Sequence, residues 1–280
     1  MRPIKLSVIA VLSLTISCAR VCAAEQAEPT TSSIQINHAG LKKLSWQLLC
    51  QTSTLHDLTI REIIDVLHAN GFHHLELTPT QLPVPDREQV DAINAKLQEV
   101  HLDIVSYGVA DFGHNETDAR KVFELGKNLK VKNIVATPAK DSLEMLDKLA
   151  TEYDINVAIL NQPGALQFAD CDALLQAIKE RSRRIGVCAD IAEWHRTGQD
   201  PVTCLRKLNG RIFEIHLQEK RDPMEAVVVA DTLKELAQQK FKGAFCVQTG
   251  VGSRQDLLKN LAAVINGFSD VVTELAATSQ

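Results

Sequence analysis

The chain has 280 residues, a formal net charge of −5, and 45% hydrophobic against 23% charged side chains. That usage excludes a disordered or collagen-like chain, and the acidic balance argues against a nucleic-acid-binding surface. Aromatic residues make up only 4% of the chain, too few for a row of stacking platforms.

At the N-terminus, Arg2 and Lys5 precede an apolar run over residues 6–17, and the small residues Ala23 and Ala24 follow. The run is shorter than the roughly 20 residues a membrane span needs. Charge, apolar run and small residues together have the form of a secretory signal peptide over residues 1–24. Cys18 offers a lipoprotein alternative, but Thr15 stands where such a signal usually carries Leu. Residues 25–41, rich in Thr, Ser, Gln and Glu, read as a linker, 42–270 as the folded domain and 271–280 as a tail. No later apolar run reads as long enough to span a membrane, so the expected location is secreted or periplasmic. Five cysteines lie beyond the leader, Cys50, Cys171, Cys188, Cys204 and Cys246. None forms a CxxC pair, which excludes a zinc ribbon. An odd number cannot all pair within one chain, and their disulfide pairing is left open.

From Leu44 onward, short apolar runs alternate with helical patterns. The predicted strands are Leu44–Cys50, His73–Leu77, Asp103–Val109, Asn133–Thr137, Asn156–Leu160, Arg184–Ala189, Arg211–Leu217 and Gly243–Gln248. They are nearly continuously apolar, as strands buried on both faces should be. Between them the period changes. Ile60, Ile63, Ile64 and Leu67 fall on one helix face behind a capping box of Thr59 and Glu62, and Asn70 and Gly71 end that helix. Val90, Ile93, Leu97 and Val100 mark the next. Asp200 and Pro201 open a later helix, and Ser253 opens the last, with Leu257, Leu258, Leu261 and Ile265.

Eight strand–helix units in about 230 residues predict an α/β fold, a (β/α)8 TIM barrel. A doubly wound open sheet is the alternative, but its GxGxxG turn is missing after the first strand. In a barrel, functional groups sit at the C-terminal strand ends. Those ends carry Glu76, Tyr107, Thr137, then Leu160, Asn161 and Gln162, then Asp190 followed by Glu193 and His195, then His216, Gln218 and Glu219, and finally Gln248. Carboxylates, an imidazole and amides converging there suit a divalent cation such as Mn²⁺, Mg²⁺ or Zn²⁺. The glycines of residues 250–253 lie where barrels often hold phosphate, and equally form an ordinary turn.

Longer strings then carry a resemblance. Residues 184–190, ending in Asp190, are followed by Trp194, 196–201, 205–208, 210–212 and 215–217, with further matches at 45–47, 106–109, 119–123 and 241–245. In this order they resemble the xylose isomerase-like TIM-barrel family, and within it the exported sugar phosphate isomerases/epimerases. The resemblance runs over about residues 42–268 and implies a xylose isomerase-like barrel. It also implies a divalent metal held by the fifth to eighth strands, which polarises a sugar carbonyl while carboxylates move the adjacent proton.

Carried onto this chain, the metal positions are Asp190, His216 and Gln248, and the acid/base candidates are Glu76 and Glu193. Tyr107, Asn161, Gln162, His195 and Gln218 are the substrate-binding candidates. The chain departs from the pattern in several places. Leu160 and Gln162 replace a His or Glu and a His at the fifth strand, Glu193 replaces a His, and Gln218 and Glu219 replace Lys and Asp. Gln248 replaces a Glu, Thr137 replaces another, and glycines common in the family are missing from residues 222–227. Leu160 cannot ligate, and a neutral amide offers a hard cation no charge.

The implied function is that of an exported sugar isomerase/epimerase-like protein, acting on or binding a sugar or keto-sugar by proton transfer next to a carbonyl, with a weakened metal site. Two alternatives stand beside it. One is a pseudoenzyme binding a carbohydrate or a protein partner. The other is a keto-sugar lyase, since elimination starts from the same enolate. A barrel nuclease would need a His-rich zinc cluster and a basic path for DNA. Assembly into a homo-oligomer is left open.

Overall fold

The computed structural model describes residues 33–82, 85–162, 168–218, 223–250 and 252–278. The leader, Glu219, Asp222 and Val251 lie outside them. The eight strands are β1 (Gln47–Gln51), β2 (His74–Leu77), β3 (Asp103–Phe112), β4 (Asn133–Pro138), β5 (Asn156–Leu160), β6 (Ile185–Asp190), β7 (Ile212–Gln218) and β8 (Ala244–Gln248). Each pairs in parallel with the next, and β8 closes on β1. The expected bounds hold to within one residue for β2 and for β4 to β8. β3 runs further, to Phe112. β1 starts later, because Leu44 ends a helix, and Ser45 caps that helix in the left-handed region at φ 60°.

The helices are α1 (His38–Leu44), α2 (Ile60–Ala69), α3 (Arg87–Glu99), α4 (Glu116–Asn128), α5 (Leu143–Tyr153), α6 (Cys171–Ile178), α7 (Ile191–Arg196), α8 (Pro201–Lys207), α9 (Pro223–Gln238) and α10 (Arg254–Thr278). Local chemistry sets their starts. Thr59 and Glu62 form the expected capping box of α2, and Asp86 and Gln89 form another on α3. Asp200 caps α8 ahead of Pro201, and Ser253 Oγ accepts from Asp256 N at the start of α10. α2 buries Ile63, Ile64 and Leu67, the face read from the sequence.

Two expected boundaries are corrected. The linker read over 25–41 ends early, because α1 begins at His38 and the segment before it lies on α10. There Gln35 N donates to Asn266 Oδ1 at 2.8 Å, Asn37 Nδ2 donates to Thr273 Oγ1 at 2.7 Å, and Ile34 and Ile36 pack on the core. The tail read from 271 is helical to Thr278, with Val272 buried. α10 also overturns the expectation about later apolar runs, for it is long and apolar enough to cross a membrane by length and composition. Here that apolar face is used for packing: Leu257, Leu261, Ile265 and Phe268 are buried against the barrel.

Period-two alternation divides the strand side chains into two cores. Outward residues such as Leu75, Ile159, Ile215, Phe245 and Val247 join the helix faces in the main core. Trp46, Phe245 and Phe268 pack as tilted rings across the β8–β1 seam, with centroids 4.7 and 5.1 Å apart. Inward residues form the barrel's own filling. One apolar group is Leu49, Val105, Ala244 and Cys246, and another is Val135, Ala158, Leu160 and Cys188. Gly186 is required where β6 meets β7, since a Cβ there would lie 2.4 Å from the Phe213 ring.

Candidate functional site

β7 places Glu214, His216 and Gln218 on one inward face, two residues apart. Gln218 reaches the mouth, whereas His216 and Glu214 are 1% and 0% exposed. Register puts Asp190 beside His216, and Gln248 beside Gln218. The expected rim residues Asp190, Gln218 and Gln248 therefore do share the C-terminal end of the barrel.

Asp190 at this rim is fully engaged. It caps α7, with Oδ1 accepting from Glu193 N at 3.0 Å, and its Oδ2 accepts from the Gln218 amide. Its backbone is latched by Asn161: Asp190 N donates to Asn161 Oδ1 at 2.6 Å and Asn161 Nδ2 donates to Asp190 O at 2.9 Å. Burial pushes the Asp190 carboxyl up, against the pull of His216 and the hydrogen bonds from Glu193 and Gln218. Glu193 is half-buried and paired with Arg196, which also donates to Gln218 at 3.2 Å. The result is a chain of contacts from Glu193 through Arg196 and Gln218 to Asp190.

Several expectations are corrected. Glu76 is not at the mouth, because it projects into the barrel and is 0% exposed. Tyr107 faces outward into the main core and lines a groove between α3 and α4, because the β3 register shifts before it, between Ile104 and Ser106, so that Val105 and Ser106 both face inward. Asn161 spends its amide on the Asp190 backbone. His195 sits on the far side of α7, lining a groove with Gln199, Val227 and Asp231. Gln162 is half-buried at the end of β5. The five cysteines beyond the leader are buried free thiols in this structure.

Beneath the rim lies a polar layer that the strand-end reading missed. Glu76 Oε1 accepts from Gln51 Nε2 at 2.6 Å, and Glu76 Oε2 lies 3.2 Å from His216 Nε2. Ser106 Oγ bridges Glu76 Oε2 at 3.3 Å and Glu214 Oε1 at 2.9 Å, and Asn133 Nδ2 donates to Glu214 Oε2 at 3.4 Å. Burial, then the charge of Glu76, hold the Glu214 carboxyl well above the usual carboxylate range. Burial opposes the charge of Glu76 too, but the His216 cation and the hydrogen bonds of His216, Glu214 and Gln51 hold its carboxyl low.

Burial likewise pulls the His216 imidazole down, yet its contacts with Cys188 and Glu76 hold it well above its ordinary value. Cys188, itself pushed up to about 12 by burial, is neutral, so ionised Glu76 is the partner that keeps the proton. The spacing of Glu214, His216 and Gln218 at i, i+2 and i+4 in an apolar strand was the available signal for this layer.

The rim does not fit the divalent metal that such barrels imply. Leu160 is packed on Val135, Ala158 and Cys188, and it has no donor atom. Gln248 brings no charge, both Asp190 oxygens are taken, and His216 turns Nε2 toward Glu76 rather than to the rim.

No protein-family model matches the sequence, and neither does any curated protein. Solved structures do match. An uncharacterized protein from Parabacteroides distasonis is 24% identical with a TM-score of 0.66, covering 81% of this chain and 99% of that one. D-psicose 3-epimerase from Clostridium cellulolyticum, solved with D-tagatose, is 13% identical with a TM-score of 0.65, covering 81% and 99%. A xylose isomerase domain protein from Planctomyces limnophilus is 13% identical with a TM-score of 0.61, covering 83% and 98%. With the closed eight-stranded sheet, these matches establish the fold as a xylose isomerase-like TIM barrel.

Proposed function

We propose that this chain is an exported, sugar isomerase/epimerase-like barrel that binds a sugar or keto-sugar at its mouth without a metal at the rim. The observation that carries the reading is the state of Asp190, whose two oxygens are held by Glu193 N and the Gln218 amide. A rim tied up in this way cannot gather a cation, but it presents a polar ring. Gln162, Gln218, Gln248, Thr137, Ser53 and Thr249 are all half-buried there. Thr249 Oγ1 is buried without a partner among the described residues. Neutral amides and hydroxyls are the groups that pair with the hydroxyls of a sugar. Barrels of the same fold include an epimerase solved with a ketohexose, which supports the ligand class. Export rests on the form of residues 1–24.

The proposed role is recognition rather than turnover. Proton transfer beside a carbonyl needs a stabiliser for the developing oxyanion, and the guanidinium described at the rim, Arg196, is engaged by Glu193 and Gln218. Glu193 is neutralised by Arg196. Calorimetric titration of the protein with a panel of ketohexoses and 3-keto-sugars tests this. We expect binding of at least one of them, weakened roughly two- to tenfold by Gln248→Ala, the effect of one hydrogen bond. Absence of binding across the panel, or binding indifferent to both Gln218→Ala and Gln248→Ala, would contradict the proposal.

A further inference from the structure

We propose that Glu76, Glu214, His216 and Cys246 form a closed, structural site for a zinc-like transition metal inside the barrel, one layer below the rim. One donor atom from each of the four side chains lies within 4.8 Å of all the others. His216 Nε2 is 3.2 Å from Glu76 Oε2 and 3.9 Å from Glu214 Oε1. Ligands about 2.0–2.3 Å from a tetrahedral zinc stand about 3.3–3.8 Å apart, so the widest pair needs to close by about 1 Å. Strand register builds the group. Glu214 and His216 are alternate inward residues of β7, and Cys246 is the β8 neighbour of His216.

Two further features point to a metal. The outer carboxylate oxygens are already held: Gln51 donates to Glu76 Oε1 and Asn133 to Glu214 Oε2. The inner oxygens, Glu76 Oε2 and Glu214 Oε1, are left facing Ser106 and the imidazole. Outer-shell amides that aim carboxylates inward are what metal sites use to orient their ligands. Independently, Cys246 is 0% exposed, and its thiol has no hydrogen bond among the described residues.

A thiolate and an imidazole beside two carboxylates select zinc or a similar transition metal over Mg²⁺ or Ca²⁺. Four protein ligands leave no open position, which marks a structural rather than a catalytic centre. On binding, M²⁺ takes the place of the protons on Cys246, Glu214 and His216, which leave to solvent, and ionised Glu76 contributes none. This set shares only His216 with the rim positions. Losing the metal would leave the sugar-binding proposal standing.

The test uses protein purified from cells grown with zinc, and separately with cobalt. We expect about one equivalent of zinc per chain to survive desalting. The cobalt form should show the near-ultraviolet charge-transfer band of a thiolate–cobalt bond. Cys246→Ser should abolish that band and lower the retained metal about tenfold or more, while Gln248→Ala should leave both unchanged. A wild-type protein that retains no metal overturns the proposal, whether or not any variant folds. So does metal retained equally by Cys246→Ser.

Discussion

Two rings of the same barrel, one step apart along the strands, are built on opposite principles. The rim ring of Leu160, Asp190, Gln218 and Gln248 has one carboxylate, and it is spent on a helix cap and an amide. The ring below gathers two carboxylates, an imidazole and a thiol, all 0–1% exposed. In a barrel whose rim normally carries the chemistry, the charge here has been drawn inward. The contrast shows that a strand-end residue identifies a rim site only when its donor atoms are aimed at the rim and not spent on local structure. Asp190 and His216 occupy the expected positions, yet each is committed to a partner. The rim is left with amides, hydroxyls and one Glu193–Arg196 pair, and the layer beneath with the denser ionic structure.

Substitutions should separate the rings sharply. The largest effect is expected for His216→Ala, which leaves Glu76 as an unpaired buried charge. Urea unfolding of the metal-free protein should show a loss of about 3–5 kcal/mol. A loss under about 1 kcal/mol would mean that the pair carries no ionic stabilisation. Asn161→Ala comes next. It orphans the buried N–H and C=O of Asp190 and should cost about 1–3 kcal/mol. A neutral outcome would place those groups in contact with water.

pH sharpens the comparison further. In the metal-free protein the folded-state values of His216 and Glu214 are both raised, so the folded chain keeps protons that the unfolded chain has released. The His216 contribution is complete below its unfolded value of about 6.5 and is lost as pH rises through the folded value. Glu214 adds to the same loss, because above its unfolded value the folded state must keep the carboxyl protonated or bear a buried charge. Melting temperature should therefore fall on the alkaline side, and Glu214→Gln should flatten that fall. Identical profiles for the two proteins would remove Glu214 from the ionic layer. Glu76, held low, acts in the opposite sense and loses its contribution only in acid. The smallest effect belongs to the rim: Gln248→Ala should change stability by less than about 0.5 kcal/mol, and a larger loss would show that Gln248 is packed rather than presented.

The barrel was legible because parallel buried strands read as continuous apolar runs, and because Thr59, Glu62, Asp200 and Pro201 mark helix starts with local chemistry. Its edges were not. Residues 33–41 look like a linker by composition, and only their bonds to Asn266 and Thr273 on α10 make them part of the fold. The site was half legible. Asp190, Gln218 and Gln248 fall at the mouth as read. Tyr107 does not, because the β3 register shifts between Ile104 and Ser106 and turns it outward, which leaves no mark in composition. His195 follows Glu193 by two residues, but on a helix that spacing puts it on another face. Glu214 lies two residues before His216 inside β7, below the strand end that marks rim residues, so its position alone does not single it out.

The most direct test of the account is titration of a bound keto-sugar with and without added Mn²⁺, with interconversion followed by nuclear magnetic resonance in the same samples. The same affinity is expected in both, with no interconversion, because the rim cannot gather a divalent cation. Binding or epimerisation that appears only with Mn²⁺ would show that Asp190 gives up its cap and that a working metal centre forms at the rim.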